Sequence, residues 1–234
     1  MTTLIMRREP PLLAVPLPLR LAAEMIGTAL LVIFGPGSAV ISAYQGDAIT
    51  LEGIAAANGI IIMVLIYSVG HVSGAHFNPG VTIAFALFRH FQPRDVAPYI
   101  VVQFIGGIIG ALILWALFGD AIDHGVTGPS GTDLQGIGME IVLTFLLMFV
   151  ITAVATDVRA VGAAAAIAIG STVGLDVLIG GPITGGSMNP ARSLGPALVS
   201  GELSDLWIYI IAPPIGAVLG ALAYTLVRAD HPKA

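Results

Sequence analysis

The sequence predicts an all-α membrane protein with six transmembrane helices, two re-entrant half-helices and an inverted internal repeat. Hydrophobic residues make up 56% of the 234 residues and charged residues only 10%, and the mean hydropathy is +0.96. A soluble domain carries roughly 25% charged residues. Six apolar windows have the length that a membrane helix needs, and an Asn-Pro motif occurs once in each half of the chain. This composition excludes a disordered chain, a coiled coil and a basic nucleic-acid-binding protein.

The six predicted spans follow one another along the chain. They cover residues of about 20–42, 53–70, 97–118, 137–156, 161–180 and 206–227. We expect a channel domain over 19–228, with repeat one at about 19–118 and repeat two at about 137–228. Residues 1–18 form the predicted N-terminal tail, and 229–234 the C-terminal tail. Cysteine is absent, which excludes disulfides and cysteine metal sites.

Two further apolar segments, near 79–88 and 190–199, are too short to cross a bilayer. Each begins with an Asn-Pro pair, and proline favours the first turn of a helix. We therefore expect two half-helices that enter the membrane and return on the same side. The motifs that begin them, here called the Asn-Pro boxes, are Asn78-Pro79-Gly80 and Asn189-Pro190-Ala191.

The basic residues indicate the orientation, because loops rich in Lys and Arg stay in the cytoplasm. With six spans, eight of the nine basic residues fall on one side. The loops of the other side carry Asp and Glu but no Lys or Arg. We call these the basic side and the acidic side. The basic side carries Arg7, Arg8, Arg20, Arg89, Arg94, Arg159, Arg228 and Lys233. We expect a multi-pass protein of the cell membrane with this side and both termini in the cytoplasm.

The two halves of the chain form an inverted repeat. Asn78 and Asn189 are 111 residues apart, and a Glu-x-x-x-Thr pattern begins at Glu24 and again, 116 residues later, at Glu140. Because each copy has three spans, the second enters the membrane upside down, and the half-helices enter from opposite sides. Their N-termini then meet near the midplane, where two positive dipole ends repel cations and accept a neutral hydroxylated solute.

Buried acceptors are needed to hold the re-entrant loops. We expect Glu24 and Glu140 to accept hydrogen bonds from the backbone N–H groups of these loops, since a buried carboxylate needs partners. His71 and His76 flank the first loop, and we expect them to brace it rather than to bind a metal ion. We expect no metal site and no cofactor.

The Asn-Pro boxes, the two Glu-x-x-x-Thr patterns and the six-span hydropathy resemble the aquaporin (major intrinsic protein) family over about residues 19–228. The segments GHVSGAHFNPGVT and GPITGGSMNPARSLGPAL are most similar to its nodulin-26-like branch and bacterial relatives. The resemblance implies a passive, non-enzymatic homotetrameric channel in the lipid bilayer for water and small neutral polyhydroxylated solutes, excluding ions and protons. These solutes are glycerol and metalloid acids such as arsenite, boric acid and silicic acid. Gly80 departs from the alanine usual in the first box.

The family has a selectivity filter on the outer side of the pore. The resemblance implies that it is formed here by Asn58, Val177, Gly186 and Arg192. Water-selective relatives carry Phe and His at the first two positions, so Asn58 and Val177 imply a wider pore. Arg192 supplies a fixed cation with five donors. An interhelical hydrogen bond is the alternative role for Asn58.

Two other classes of function remain open from the residues alone. An ion-coupled secondary transporter needs an ionisable relay, for which Glu24, Glu140 and Asp176 are the candidates. An intramembrane hydrolase would use a Ser and a His on facing helices, and His71 and Ser73 are its candidates. For Asp176 we favour a place in the outer vestibule or an interhelical hydrogen bond.

Overall fold

The structure, a computed structural model that describes residues 15–156 and 164–228, is a bundle of α-helices. The helices are α1 Leu17–Phe34, α2 Pro36–Tyr44, α3 Leu51–Ser73, α4 Pro79–Leu87, α5 Pro93–Phe118, α6 Asp133–Thr156, α7 Ala165–Thr184, α8 Pro190–Ser200 and α9 Leu206–Val227. A 3-10 helix, Gly119–Gly125, follows α5. In these ranges six segments are long and apolar enough to cross a membrane, which confirms the six predicted spans. The predictions for residues 1–14, Arg159 and 229–234 lie outside the described residues.

The first span differs from the continuous helix predicted over 20–42, because it consists of two helices. α1 ends at Phe34 and α2 begins at Pro36, with Gly35 between them at φ −74° and ψ −93°. Gly35 N–H still donates to Leu31 O at 2.8 Å. Pro36 has no N–H group, and its ring clashes with the turn before it, so the helix is interrupted there. Hydropathy does not reveal the break, because the apolar run continues through it.

Glycines allow the spans of each repeat to pack backbone to backbone at equivalent positions. A Cβ added at Gly106 of α5 would overlap the carbonyl oxygen of Met25 on α1. A Cβ added at Gly216 of α9 would overlap that of Ile141 on α6. Met25 and Ile141 are 116 residues apart, which is the offset of the Glu-x-x-x-Thr patterns. The two repeats therefore share the same close helix contact.

Each half-helix packs against a span of the other repeat. The first, α4, lies against α9, where a Cβ added at Gly80 would be 3.4 Å from Pro214 N. The second, α8, lies against α5, and a Cβ at Gly195 would overlap the carbonyl oxygen of Gly107. A Cβ at Gly107 would overlap the carbonyl oxygen of Ala191. These crossed contacts bring the two Asn-Pro boxes together inside the bundle.

Gly195→Ala should destabilise the protein, because the added methyl group meets backbone atoms of Gly107 and Ile108 rather than a movable side chain. Overpacking of this kind costs about 1–3 kcal/mol. Gly138→Ala is the matched control, since Gly138 is an exposed residue inside α6 with nothing within 4 Å of an added Cβ. Thermal unfolding in detergent should show a lower midpoint for the first variant only. Equal midpoints would contradict close packing of α8 on α5.

Candidate functional site

A cavity of about 600 Å³ lies between the helices and is lined mainly by apolar residues of both repeats. It extends along α3 from Asn58 to His71, which is about 20 Å of helix. The asparagines of both boxes line it, together with Gly186 and Arg192. The cavity therefore joins three of the four predicted filter residues to the point where the half-helices begin.

Glu24 holds the first re-entrant loop from inside the bundle, where it is fully buried. Its Oε1 accepts hydrogen bonds from His76 N at 2.9 Å and Ser73 Oγ at 2.7 Å. Its Oε2 accepts from Phe77 N at 2.7 Å and Gln103 Nε2 at 2.8 Å. Four donors satisfy this carboxylate, and the bonds to backbone N–H groups fix the path of the loop. Gln103 was not predicted from the sequence, because its position within the apolar helix α5 does not indicate this contact.

Glu140 holds the second re-entrant loop in the same way and is also fully buried. Its Oε1 accepts from Ser187 N at 2.9 Å and Thr184 Oγ1 at 2.7 Å, and its Oε2 accepts from Met188 N at 2.7 Å. The residue 110 positions after Gln103 is Pro213, which has no side-chain donor. The second loop therefore lacks the amide that a span supplies to the first.

The loops cross-link the two repeats at two strained residues. Phe77 and Met188 precede the boxes and have φ of +49° and +55°, a region that side chains other than glycine rarely adopt. The carbonyl oxygen of Phe77 accepts from Asn189 Nδ2 at 2.8 Å, and that of Met188 accepts from Asn78 Nδ2 at 2.7 Å. Backbone strain of this kind costs on the order of 1–3 kcal/mol at each residue, and it persists only where surrounding bonds fix the conformation.

Each box asparagine uses both ends of its amide. Asn78 Oδ1 accepts from Gly80 N at 2.8 Å, and Asn189 Oδ1 accepts from Ala191 N at 2.9 Å, so each caps its own half-helix. One N–H of each amide donates to a backbone carbonyl oxygen of the opposite loop. The other N–H of each has no hydrogen-bond partner among the described residues, and both asparagines line the cavity. The meeting point of the half-helices is therefore rich in donors.

Arg192 and Gly186 line the cavity, and Val177 packs against Gly186. Arg192 is 8% exposed, and its Nη1 donates to Gly125 O at 2.8 Å. Gly186 has φ +56°, and a Cβ added there would lie 3.2 Å from Val177 Cα. Val177 is buried and contacts Gly186, whereas Val173, one turn earlier, lines the cavity. Val177 thus lies directly next to Gly186, although it is not among the residues that line this cavity.

Among the described residues, Asn58 has no interhelical hydrogen bond of the kind considered as its alternative role. Its Nδ2 donates to Ile54 O, one turn earlier in α3, at 2.9 Å. Its Oδ1 lies 2.7 Å from the position that a Cβ on Gly35 would take. Because Gly35, at the break between α1 and α2, has no side chain, there is room for the Asn58 amide. The carbonyl end of Asn58 is left as an acceptor beside the cavity.

The two histidines that were expected to brace the first loop have different environments, since His71 is exposed and His76 is buried. His71 is exposed in the last turn of α3 and makes no side-chain hydrogen bond among the described residues, so its bracing role is corrected. His76 is buried, and its Nδ1 lies 3.1 Å from Thr82 Oγ1 of α4. Ser73 Oγ donates to Glu24, and no histidine among the described residues forms a hydrogen bond with this hydroxyl, so His71 and Ser73 are not paired as the hydrolase hypothesis expects. The described residues contain no group of three or more His, Cys, Asp or Glu that could hold a metal ion.

Asp176 occupies neither of the places favoured for it. It is 2% exposed, which excludes an open vestibule, and its Oδ2 has no hydrogen-bond partner among the described residues. It does not line the cavity, and neither do Glu24 and Glu140. The three carboxyl groups proposed for an ion relay therefore lie outside the cavity wall. Nothing in the structure explains why a carboxyl group is placed at Asp176.

A cavity that passes between two facing half-helices in a six-span bundle defines a membrane channel, and the comparisons give its family. The Major intrinsic protein family model matches residues 15–224. Nodulin-26 of Glycine max is 50% identical over 228 residues, covering 97% of this chain and 84% of that protein. Aquaporin NIP1-1 of Zea mays is 47% identical over 216 residues, covering 92% and 77%.

A solved structure shows the same fold. The aquaglyceroporin from Plasmodium falciparum superposes with a TM-score of 0.77 at 23% identity, covering 91% of this chain and 97% of that one. The chain therefore belongs to the major intrinsic protein family, whose members are aquaporin-type channels of membranes. Membership points to a channel rather than an enzyme, and to water and small solutes as what it transports.

Glu140→Gln should destabilise the second loop. The glutamine amide has only one acceptor oxygen, so it cannot accept from Ser187 N with one terminal atom and from Met188 N with the other. Leaving one buried N–H without an acceptor costs about 1–3 kcal/mol. Glu202→Gln is the control, since Glu202 is exposed on the acidic side. The midpoint of thermal unfolding should fall for Glu140→Gln and stay unchanged for Glu202→Gln. A stable Glu140→Gln protein would show that the loop does not depend on this carboxylate.

Proposed function

We propose that this protein is a passive channel for water and small neutral polyhydroxylated solutes, and that it excludes ions and protons. The solute class includes glycerol and the metalloid acids arsenite, boric acid and silicic acid. The observation that carries the proposal is the cavity lined by Asn78 and Asn189, each with one unpartnered N–H, at the N-termini of two facing half-helices. The assignment of the boxes as the midplane of the pore is part of this proposal.

The midplane favours neutral solutes for two reasons. Each half-helix N-terminus carries about half a positive charge, so a cation that leaves bulk water here meets repulsion. The free N–H groups of Asn78 and Asn189 donate to the oxygen of a water molecule or hydroxyl group. A water oxygen that accepts from both asparagines has no lone pair left for a further proton, which interrupts proton transfer along a file of water.

The filter is proposed to consist of Asn58, Val177, Gly186 and Arg192. Arg192 donates one hydrogen bond from Nη1 to Gly125 O, and its remaining N–H groups can donate to a solute oxygen. Asn58 Oδ1 is an acceptor next to the cavity. A hydroxyl group both accepts and donates, so it satisfies Arg192 and Asn58 together. No aromatic ring occupies these four positions, which favours a solute wider than one water molecule.

The orientation and assembly are proposed on the same basis. Arg20 and Arg228 lie at the basic side, which we propose faces the cytoplasm of a cell membrane. A homotetramer follows from the family resemblance. The ion-coupled transporter is disfavoured, since Glu24 and Glu140 are committed to the loops and Asp176 lies away from the cavity.

Purified protein in liposomes should pass glycerol and arsenite down their gradients without a proton or sodium gradient.

The double variant Asn58→Phe with Val177→His should keep water permeation and lose glycerol and arsenite permeation, because two rings narrow the filter. Ile60→Phe is the matched control, since Ile60 is 56% exposed on the outer surface of α3. Stopped-flow swelling with each solute measures all of these variants.

Two results would contradict the proposed function. Solute uptake that requires an ion gradient would make the protein a coupled transporter. A folded double variant that passes glycerol at the parent rate would show that Asn58 and Val177 do not form the constriction. Folding is checked by size-exclusion chromatography and by the thermal midpoint, because small-to-large changes in a packed site cost about 1–3 kcal/mol.

A further inference from the structure

Three buried hydroxyl groups form a chain from the α5–α6 connection to the second Asn-Pro box. Thr127 Oγ1 donates to Ser193 Oγ at 2.8 Å, Ser193 Oγ lies 2.5 Å from Ser187 Oγ, and Ser187 Oγ donates to Asn189 O at 3.0 Å. The three residues are 4%, 0% and 4% exposed. Each hydroxyl has one proton, so the Ser193 proton must go to Ser187. Every donor in the chain is used, and its direction is fixed.

The same connection holds Arg192 directly. Gly125, two residues before Thr127, accepts the Arg192 Nη1 hydrogen bond at 2.8 Å. Thr127 also packs on the start of the second loop, where a Cβ added at Gly185 would lie 3.0 Å from its Cγ2. Thr127 therefore contacts the second re-entrant segment before the box, at Gly185, and after it, at Ser193.

The first repeat uses a different third partner for the equivalent pair. His76 and Thr82 lie 111 residues before Ser187 and Ser193, and they are also in contact, at 3.1 Å. The third partner is Gln103, whose Nε2 donates to Thr82 Oγ1 at 3.0 Å. Gln103 belongs to a transmembrane helix, whereas Thr127 belongs to a connection between helices. The second box thus depends on the placement of a connection, and the first does not.

We propose that Thr127 is a positioning residue for Arg192, and that its hydrogen bond to Ser193 sets the width of the filter. Gly125 O can fix the guanidinium only while the connection is itself fixed, and the Thr127–Ser193 bond ties it to the half-helix that carries Arg192. Loss of the bond lets Gly125 O and Arg192 move away from the cavity. The inference rests on the proposed function in one respect, namely that Arg192 faces the permeating solute.

Thr127→Val tests the inference, because valine keeps the Cγ2 contact with Gly185 and replaces the hydroxyl group that donates to Ser193 by a methyl group. The ratio of erythritol to glycerol permeation in liposomes should rise roughly two- to tenfold, the range that one neutral hydrogen bond represents. Thr127→Ser should restore the parent ratio. Ser193→Ala should also raise the ratio, and Thr127→Val should add nothing further in the double variant, because Ser193→Ala already removes the acceptor of the Thr127 bond together with the contact to Ser187. Ser200→Ala, which removes another hydroxyl of α8, is the control.

Hydrogen exchange of the backbone over residues 119–132 supplies a readout that is independent of transport. Thr127→Val should exchange faster there than the parent protein and Thr127→Ser. An unchanged permeation ratio in Thr127→Val overturns the inference, whether or not exchange is faster, and so does unchanged exchange. Failure of the proposed function would give a different result in the same assay, because the parent protein itself would then pass no glycerol.

Discussion

The structure depends on two buried carboxylates that hold irregular backbone inside a membrane-spanning bundle. Non-helical backbone at this depth is tolerated only where its polar groups find partners or line a cavity. Glu24 and Glu140 provide acceptors for the N–H groups of both loops, including those of the strained residues Phe77 and Met188. With these residues fixed, their carbonyl oxygens meet the asparagine of the opposite box. The half-helices, the cavity and the donor-rich point where the half-helices meet all follow from this arrangement.

Each loop accepts a hydrogen bond from a tyrosine, Ser73 O from Tyr99 and Thr184 O from Tyr209, but the other supports of the two ends differ. On the basic side, Arg20 forms a buried ion pair with Asp95 at 2.7 Å and lies over the ring of Tyr99, whose hydroxyl donates to Ser73 O at 2.9 Å. The first loop is thereby tied to helices α1 and α5. On the acidic side, the hydroxyl chain from Thr127 and the bond from Arg192 to Gly125 tie the second loop to a connection. The connection between α5 and α6 therefore supports the second loop directly.

Much of the fold and part of the candidate site could be predicted from the sequence. The six spans, the half-helices and the roles of Glu24 and Glu140 follow from hydropathy and from the internal repeat, and the structure contains the expected bonds. The break at Gly35 was missed because apolar residues continue through it. The orientation of Asn58 depends on that break, so it could not be foreseen. Thr127 was missed because its partner, Ser193, is far along the chain and only the packed bundle joins them.

The meeting point of the half-helices should pass water while it interrupts proton transfer. The most direct measurement follows water and protons in the same liposomes, with swelling recorded by light scattering and proton entry by an internal pH dye under a potassium diffusion potential. We expect water permeation far above that of protein-free liposomes, with proton entry equal to that of protein-free liposomes. Proton entry that rises in proportion to the amount of reconstituted protein would contradict it.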